Sequence, residues 1–249
     1  MRNLIAFLLL LCLIPLFGCS SNLPDESSFS EKVTIATATG SYSQDVPIYK
    51  EPDISSGVIA RLSGSTCLTC NLTSKKRIEK HFIRVELFNN STFGWLDMSQ
   101  CKLESIDTVS FDDSNKDRAN VCRYTLRFLG AVYSDKNSDN KLEGLSCNQL
   151  VAKAYQSIGY SQYTGIKVNE YNQDTYGRII SKEELRPGDI IFYEGISGGK
   201  YSHIGIYLGK GYVIQSTVDQ GGEYPQGGVH ITRIIFRSSP TAYRTPFDN

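Results

Sequence analysis

Cys147 and His203 have the chemistry of a nucleophile and its base, although they lie far apart in the sequence. Cys147 stands in Gly144-Leu145-Ser146-Cys147-Asn148-Gln149-Leu150-Val151. After it, Leu150, Val151, Ala154, Tyr155 and Ile158 recur at the spacing of one helix face, and Gly159 offers a C-terminal stop. The pattern predicts an amphipathic helix with Cys147 in its first turn. A free thiol has a pKa of about 8.5, and a helix N-terminus or a neighbouring imidazole lowers it to ~3.5–7.5. Such a thiol ionises near neutral pH and attacks carbonyl carbon. The same cysteine also reads as a small buried hydrophobe or half of a disulfide. The next segments favour the nucleophile.

Leu185-Arg186-Pro187-Gly188-Asp189-Ile190-Ile191-Phe192-Tyr193 reads as a Pro-Gly turn followed by a buried strand. Tyr201 to Ser216 then alternates as a hairpin does. His203, Gly205 and Tyr207 point one way, and Ile204, Ile206 and Leu208 the other. A three-residue Gly209-Lys210-Gly211 loop, with Gly211 left-handed, pairs Leu208 with Tyr212. That register sets Gln215 opposite Gly205, on the face of His203 and one diagonal step away. Gly205 has no side chain to keep the imidazole from the amide. The set is then a thiol, a base and a neutral group that orients the base. The alternatives are a strand histidine satisfied by its neighbours and an exposed strand glutamine.

The cysteine at a helix start, Leu-Arg-Pro-Gly-Asp-Ile-Ile-Phe, and His203-Ile-Gly-Ile-Tyr-Leu-Gly with a polar residue twelve positions after the histidine together resemble the NlpC-type cell-wall cysteine peptidases. The similarity covers roughly residues 120 to 240. It implies an α+β class, with a papain-like catalytic domain. It also implies Cys147, His203 and Gln215 as catalytic residues acting through an acyl-enzyme, with no cofactor and no metal. Phe128-Leu129-Gly130-Ala131-Val132-Tyr133 resembles the family's segment before the nucleophile, where a tyrosine lines the site, so Tyr133 is a candidate substrate-binding residue. Ser146 is a second. It stands where the family usually has an aspartate in Asp-Cys-Ser-Gly, and in relatives that clip free peptides that Asp and Ser bind the terminal amine. Ser146 carries no charge, so that recognition is expected to be weakened or lost. Ser134-Asp135-Lys136-Asn137 also replaces the aromatic and paired glycines that commonly follow the tyrosine. The implied reaction is hydrolysis of peptidoglycan stem peptides between D-glutamate and the diamino acid. An amidase or acyltransferase on the same frame, and a non-catalytic wall-binding lipoprotein, remain as alternatives.

Other elements must carry and deliver this site. Residues 1–19 read as a signal: a basic start, an apolar run from Leu4 to Phe17, then Gly18-Cys19. The run is shorter than the ~20 residues of a spanning helix. Cys19 is the expected lipidation site, which anchors the protein to a membrane outside the cytoplasm, in the bacterial cell envelope. Residues 20–31 read as a polar tether. Residues 32–105 alternate as short strands (Val33–Ala38, Val46–Tyr49, Gly57–Leu62, Phe82–Leu87, Phe93–Asp97) and resemble a small bacterial SH3-like barrel. Trp95 in that stretch is read as core. Residues 106–116 are a polar linker, and 117–249 the peptidase domain, whose first helix is expected around Ala119 to Leu129. Residues 220–228, rich in glycine, read as a loop at the rim of the cleft.

A formal net charge of zero argues against nucleic acid as a partner, and 40% hydrophobic residues suffice for buried cores. Oligomeric state is not legible. Cys67, Cys70, Cys101 and Cys122 point to disulfides outside the cytoplasm, since zinc needs four ligands at better spacing and only His81 is near. His81 and His230 read as structural.

Overall fold

The structure, a computed structural model, describes residues 32–39, 45–64, 67–69, 78–87, 92–107, 116–135, 144–163, 176–194, 201–218, 228–235 and 239–247. Cys19, the signal and tether segments, Cys70 and all but the last residue of the 220–228 loop lie outside them.

The alternating segments near the start form strands that all pair antiparallel. β1 (Lys32–Ala38), β4 (Cys67–Thr69) and β8 (Cys101–Asp107) make a three-stranded sheet in the order β4-β1-β8. β2 (Asp45–Tyr49), β3 (Val58–Ser63), β5 (Ile78–Glu79), β6 (Phe82–Glu86) and β7 (Phe93–Asp97) make a five-stranded sheet in the order β3-β2-β7-β6-β5. Val46, Ile48, Leu62, Ile83, Val85 and Leu96 bury one core between them. β8 runs through Asp107, two residues into the stretch read as linker.

Two helices follow, α1 (Lys116–Leu126) and α2 (Cys147–Gln156), and then a six-stranded antiparallel sheet. Its strands are β9 (Arg178–Ile180), β10 (Ile190–Tyr193), β11 (His203–Gly209), β12 (Tyr212–Thr217), β13 (Gly228–Arg233) and β14 (Pro240–Thr245), in the order β13-β12-β11-β10-β14-β9. The class is α+β. Leu150, Val151, Ala154 and Tyr155, the apolar stripe of α2, pack on Ile190, Phe192, Ile204, Ile206 and Ile214 from one face of this sheet. Ile35, Cys67 and Ile106 of the first sheet enter the same core. The N-terminal strands therefore help to hold the helix that carries Cys147. At ~25 cal/mol per Å² of apolar surface removed from water, this burial is the main term holding helix to sheet.

The Arg-Pro-Gly-Asp motif serves as a bracket. Arg118 of α1 donates to Asp189 Oδ1 at 2.7 Å, to the Pro187 carbonyl at 3.1 Å and to Thr245 Oγ1 at 2.9 Å. Asp189 is 0% exposed and its second oxygen accepts from the Arg186 N–H at 2.7 Å. The Tyr155 hydroxyl donates to the Gly188 carbonyl. One ion pair thus joins α1, β10 and β14, and the neighbouring turn carbonyl is tied to α2.

Among the described residues the expected disulfides are not formed. Cys67, Cys101 and Cys122 are free and buried, 1%, 6% and 0% exposed. Cys67 and Cys122 act as small hydrophobes in the core around α2, and Cys101 does so in the N-terminal core. Pairing needs two Cβ atoms about 3.5–4.5 Å apart so that the sulfurs can bond, which composition cannot reveal.

Candidate active site

α2 begins at Cys147 because Ser146 caps it. The Gln149 N–H donates to Ser146 Oγ at 3.4 Å, and the Ser146 N–H donates to Gln149 Oε1 at 2.8 Å. This capping box satisfies donors that the first turn cannot bond within the helix. Ser146, expected to touch substrate, has its hydroxyl engaged in this cap and is 7% exposed. Gln149 does a second job. Its Nε2 donates to the Asp135 carbonyl at 3.1 Å, which fastens the Tyr133–Asp135 segment to the helix start. Gly144, just before the cap, has φ +81°, and a Cβ there would lie 2.3 Å from the Val132 carbonyl oxygen. Only glycine lets the two segments run this close, and the Leu145 N–H donates to that carbonyl at 2.9 Å.

The hairpin supplies the other two groups. Tyr207 pairs with Val213 and Ile206 with Ile214, so one further step sets Gly205 opposite Gln215, as expected. The turn itself differs. Gly209, not Leu208, faces Tyr212, and Lys210 and Gly211 are both left-handed at φ 53° and 81°. A bulge between Tyr207 and Gly209 absorbs the extra residue and restores the register. A Cβ on Gly205 would lie 3.3 Å from the Gln215 Cβ and 2.6 Å from Val213 Cγ1.

His203 Nε2 lies 2.6 Å from Gln215 Oε1. An amide oxygen only accepts, so Nε2 carries the proton and Nδ1 keeps a lone pair. Gln215 Nε2 in turn donates to Thr232 Oγ1 at 2.8 Å, and both residues are 0% exposed. Thr232 escapes sequence reasoning because β13 returns after a long loop. The alternation in Val229-His230-Ile231-Thr232 is the signal that could have found it. His230 faces Gln215 directly across the strands, is 0% exposed, and hydrogen-bonds through Nδ1 to the Gly228 carbonyl at 2.8 Å. Tyr193 pairs with His203 from β10, ring centroids 5.8 Å apart.

The thiol meets this strand at its first residues. The Ile204 N–H, like those of Asn148 and of Cys147 itself, acts on the Cys147 sulfur so as to favour its anion. Ser216 Oγ donates to the Leu145 carbonyl, so β12, which carries Gln215, also grips the chain entering α2. Cys147 is recessed, 9% exposed. Burial pushes its thiol above the usual value, and the three N–H groups pull only partly the other way. The depressed thiol pKa expected from the helix start alone is therefore not found. Desolvation of the anion outweighs the dipole, and ionisation needs a proton acceptor at the sulfur. Tyr133 sits beside the same thiol. Its hydroxyl donates to Asp135 Oδ1 at 2.9 Å, and burial, then Asp135, then the Cys147 charge push it up to about 12. Among the described residues, no group of three or more His, Cys, Asp or Glu side chains is placed to hold a metal.

A cysteine at a capped helix start and a histidine held by an amide are groups of the kind that thiol-nucleophile sites use. Residues 132–226 match the NlpC/P60 family model. This stretch spans Tyr133, Cys147, His203 and Gln215, while Thr232 lies beyond it. The chain is 31% identical over 107 residues to the bifunctional muramidase/DL-endopeptidase CwlT of Bacillus subtilis, covering 42% of this chain and 30% of that protein. It is 25% identical over 159 residues to the murein DD-endopeptidase MepH of Escherichia coli, 62% and 51% of the two lengths. It spans between about a third and a half of the length of these relatives. Among solved structures it is similar to NlpC1 from Trichomonas vaginalis, with 18% identity, 87% of this chain and 70% of that one covered, and a TM-score of 0.44.

Proposed function

We propose that the protein is a cysteine endopeptidase that hydrolyses peptidoglycan stem peptides at the D-γ-glutamyl–diamino acid bond. The observation that carries this reading is His203 Nε2 held 2.6 Å from Gln215 Oε1, at the start of the strand whose Ile204 N–H acts on the Cys147 sulfur. His203 Nδ1 takes the thiol proton as the sulfur attacks the amide carbon. The thiolate and imidazolium then stabilise each other. The Cys147 N–H donates to the oxyanion. Collapse of the tetrahedral species breaks the C–N bond, and the imidazolium gives its proton to the leaving amine. Water, deprotonated by His203, then cleaves the thioester and returns the free thiol. Gln215 holds the ring in the tautomer that leaves Nδ1 basic.

The N-terminal strands act as an SH3-like module beside the peptidase domain, and lipid on Cys19 holds both at a membrane facing the wall. The relatives named above include a DL- and a DD-endopeptidase, so fragment masses decide the bond. Purified peptidoglycan is digested with wild type and with Cys147→Ala, and the muropeptides are analysed by mass spectrometry. A new free amine on the diamino acid is expected with wild type alone. Identical fragments from both proteins overturn the peptidase reading.

A further inference from the structure

The amide of Gln215 has two ends, and only one of them suits the chemistry. With Oε1 toward the ring, His203 Nε2 keeps its proton and Nδ1 its lone pair. Turned about, the amide would donate an N–H to a lone pair on Nε2, and the ring proton would sit on Nδ1. A ring in that form has no lone pair on Nδ1 to take the thiol proton. Gln215 alone does not choose between the two orientations, so a group behind it must. Gln215 Nε2 donates to Thr232 Oγ1 at 2.8 Å, and both residues are 0% exposed. Thr232 pairs with Val213, which puts it one diagonal step from Gln215. Its β-branched side chain is stiff at χ1, and its strand is pinned at both ends. The Val229 N–H donates to the Ala131 carbonyl at 2.8 Å, and the Gly130 N–H donates to the Val229 carbonyl at 2.9 Å. At the other end, the Ile234 N–H donates to the Gly211 carbonyl at 2.7 Å, and Arg233 donates to the Ala38 carbonyl of β1. The oxygen that receives the Gln215 N–H is therefore fixed in place.

We infer that Thr232 is a positioning residue that decides which end of the Gln215 amide faces His203, and through it which ring nitrogen stays basic. Buried N–H groups are left unpaired more rarely than carbonyl oxygens are. Without the Thr232 oxygen, the amide is better satisfied by turning its N–H to the ring, and the ring proton then moves to Nδ1. The inference deepens the peptidase reading and rests on it for the rates, whereas the state of the ring is measured without substrate.

The test reads the ring by nitrogen NMR of isotope-labelled histidine in the full protein carrying Cys147→Ala, which removes the thiolate that would charge it. The pH is set at about 8.5, two units above an ordinary imidazole. His203 is assigned by the loss of its signals in His203→Ala. His230, whose Nδ1 lies 2.8 Å from the Gly228 carbonyl, gives the opposite tautomer for comparison. Nε2–H is expected as the main form of His203 and is expected to persist with Thr232→Ser. Thr232→Val, which keeps the shape and loses the oxygen, is expected to add a clear Nδ1–H population. An unchanged ring in Thr232→Val overturns the inference. So does a main Nδ1–H form with Thr232 intact, a result that needs no Thr232 variant to fold. With Cys147 restored, rates are measured on a synthetic parent stem peptide. Thr232→Val is expected to lower kcat about 3- to 10-fold, the range of a neutral hydrogen bond, with KM within about twofold of wild type. Thr232→Ser is expected to stay within about twofold in both, and equal losses in the two variants overturn the role. Failure of wild type to cleave the peptide counts against the peptidase reading instead, and the ring measurement then decides on Thr232.

Discussion

Replacing Gln215 by methionine removes the amide oxygen that accepts from His203 Nε2 while keeping a side chain of similar length. The bond is 2.6 Å long, and Gln215 is 0% exposed, so water is poorly placed to substitute for it. During reaction the ring becomes an imidazolium, and a hydrogen bond to a charged group contributes about 1.5–3 kcal/mol. At 1.36 kcal/mol per tenfold change, that is a factor of about 10 to 150. The thiolate–imidazolium pair is less populated by the same factor, so kcat/KM on the parent stem peptide should fall about 10- to 150-fold. Gln215→Glu should act oppositely on the ring, because a carboxylate favours the imidazolium. Thr232→Val removes only the outer bond and should cost less activity than Gln215→Met. Thermal unfolding of each variant separates catalysis from folding. Activity of Gln215→Met within about twofold of wild type, with an unchanged midpoint, would refute the orienting role.

Two further outcomes concern what holds the site. Arg118→Ala leaves the Asp189 carboxylate buried without its partner and should cost about 3–5 kcal/mol in urea unfolding, whereas Arg118→Met combined with Asp189→Leu should recover much of that loss. Equal losses in the single and double variants would count against the bracket. Gly205→Ala sets a Cβ 2.6 Å from Val213 Cγ1 and 3.3 Å from the Gln215 Cβ. It should destabilise by about 1–3 kcal/mol in the same assay and lower kcat/KM by pushing β12 from β11.

Local pattern made much of this legible in the sequence. The helix was readable because Leu150, Val151, Ala154, Tyr155 and Ile158 recur on one face, and α2 starts at Cys147. The pairing of His203 with Gln215 was readable because hairpin parity survives a misread turn. A bulge replaced the three-residue loop, yet the register at Gly205 was kept. The rest depends on contacts that no local pattern encodes. Thr232 arrives from a strand beyond a long loop, and Asp135 is brought in by Gln149. β4, β5 and β8 are too short or too polar to stand out as strands. The shared core of Ile35, Cys67 and Ile106 with α2 joins segments that read as separate units. The cysteines misled because free thiols in a core and half-cystines look alike until distances are known. The Cys147 pKa misled because helix-start electrostatics is local, whereas desolvation comes from the whole fold.

The measurement that bears most directly on the coupling of sulfur, ring and amide is the rate of Cys147 alkylation by iodoacetamide as a function of pH, in wild type and in His203→Ala. Without the imidazole, burial holds the thiol neutral, and labelling should rise only above the pH range of an ordinary thiol, about 8.5. With it, the ion pair forms once the proton moves to Nδ1, so wild type should label rapidly near neutral pH and lose that phase in His203→Ala. A single alkaline ionisation, the same in both proteins, would contradict a catalytic partnership between them.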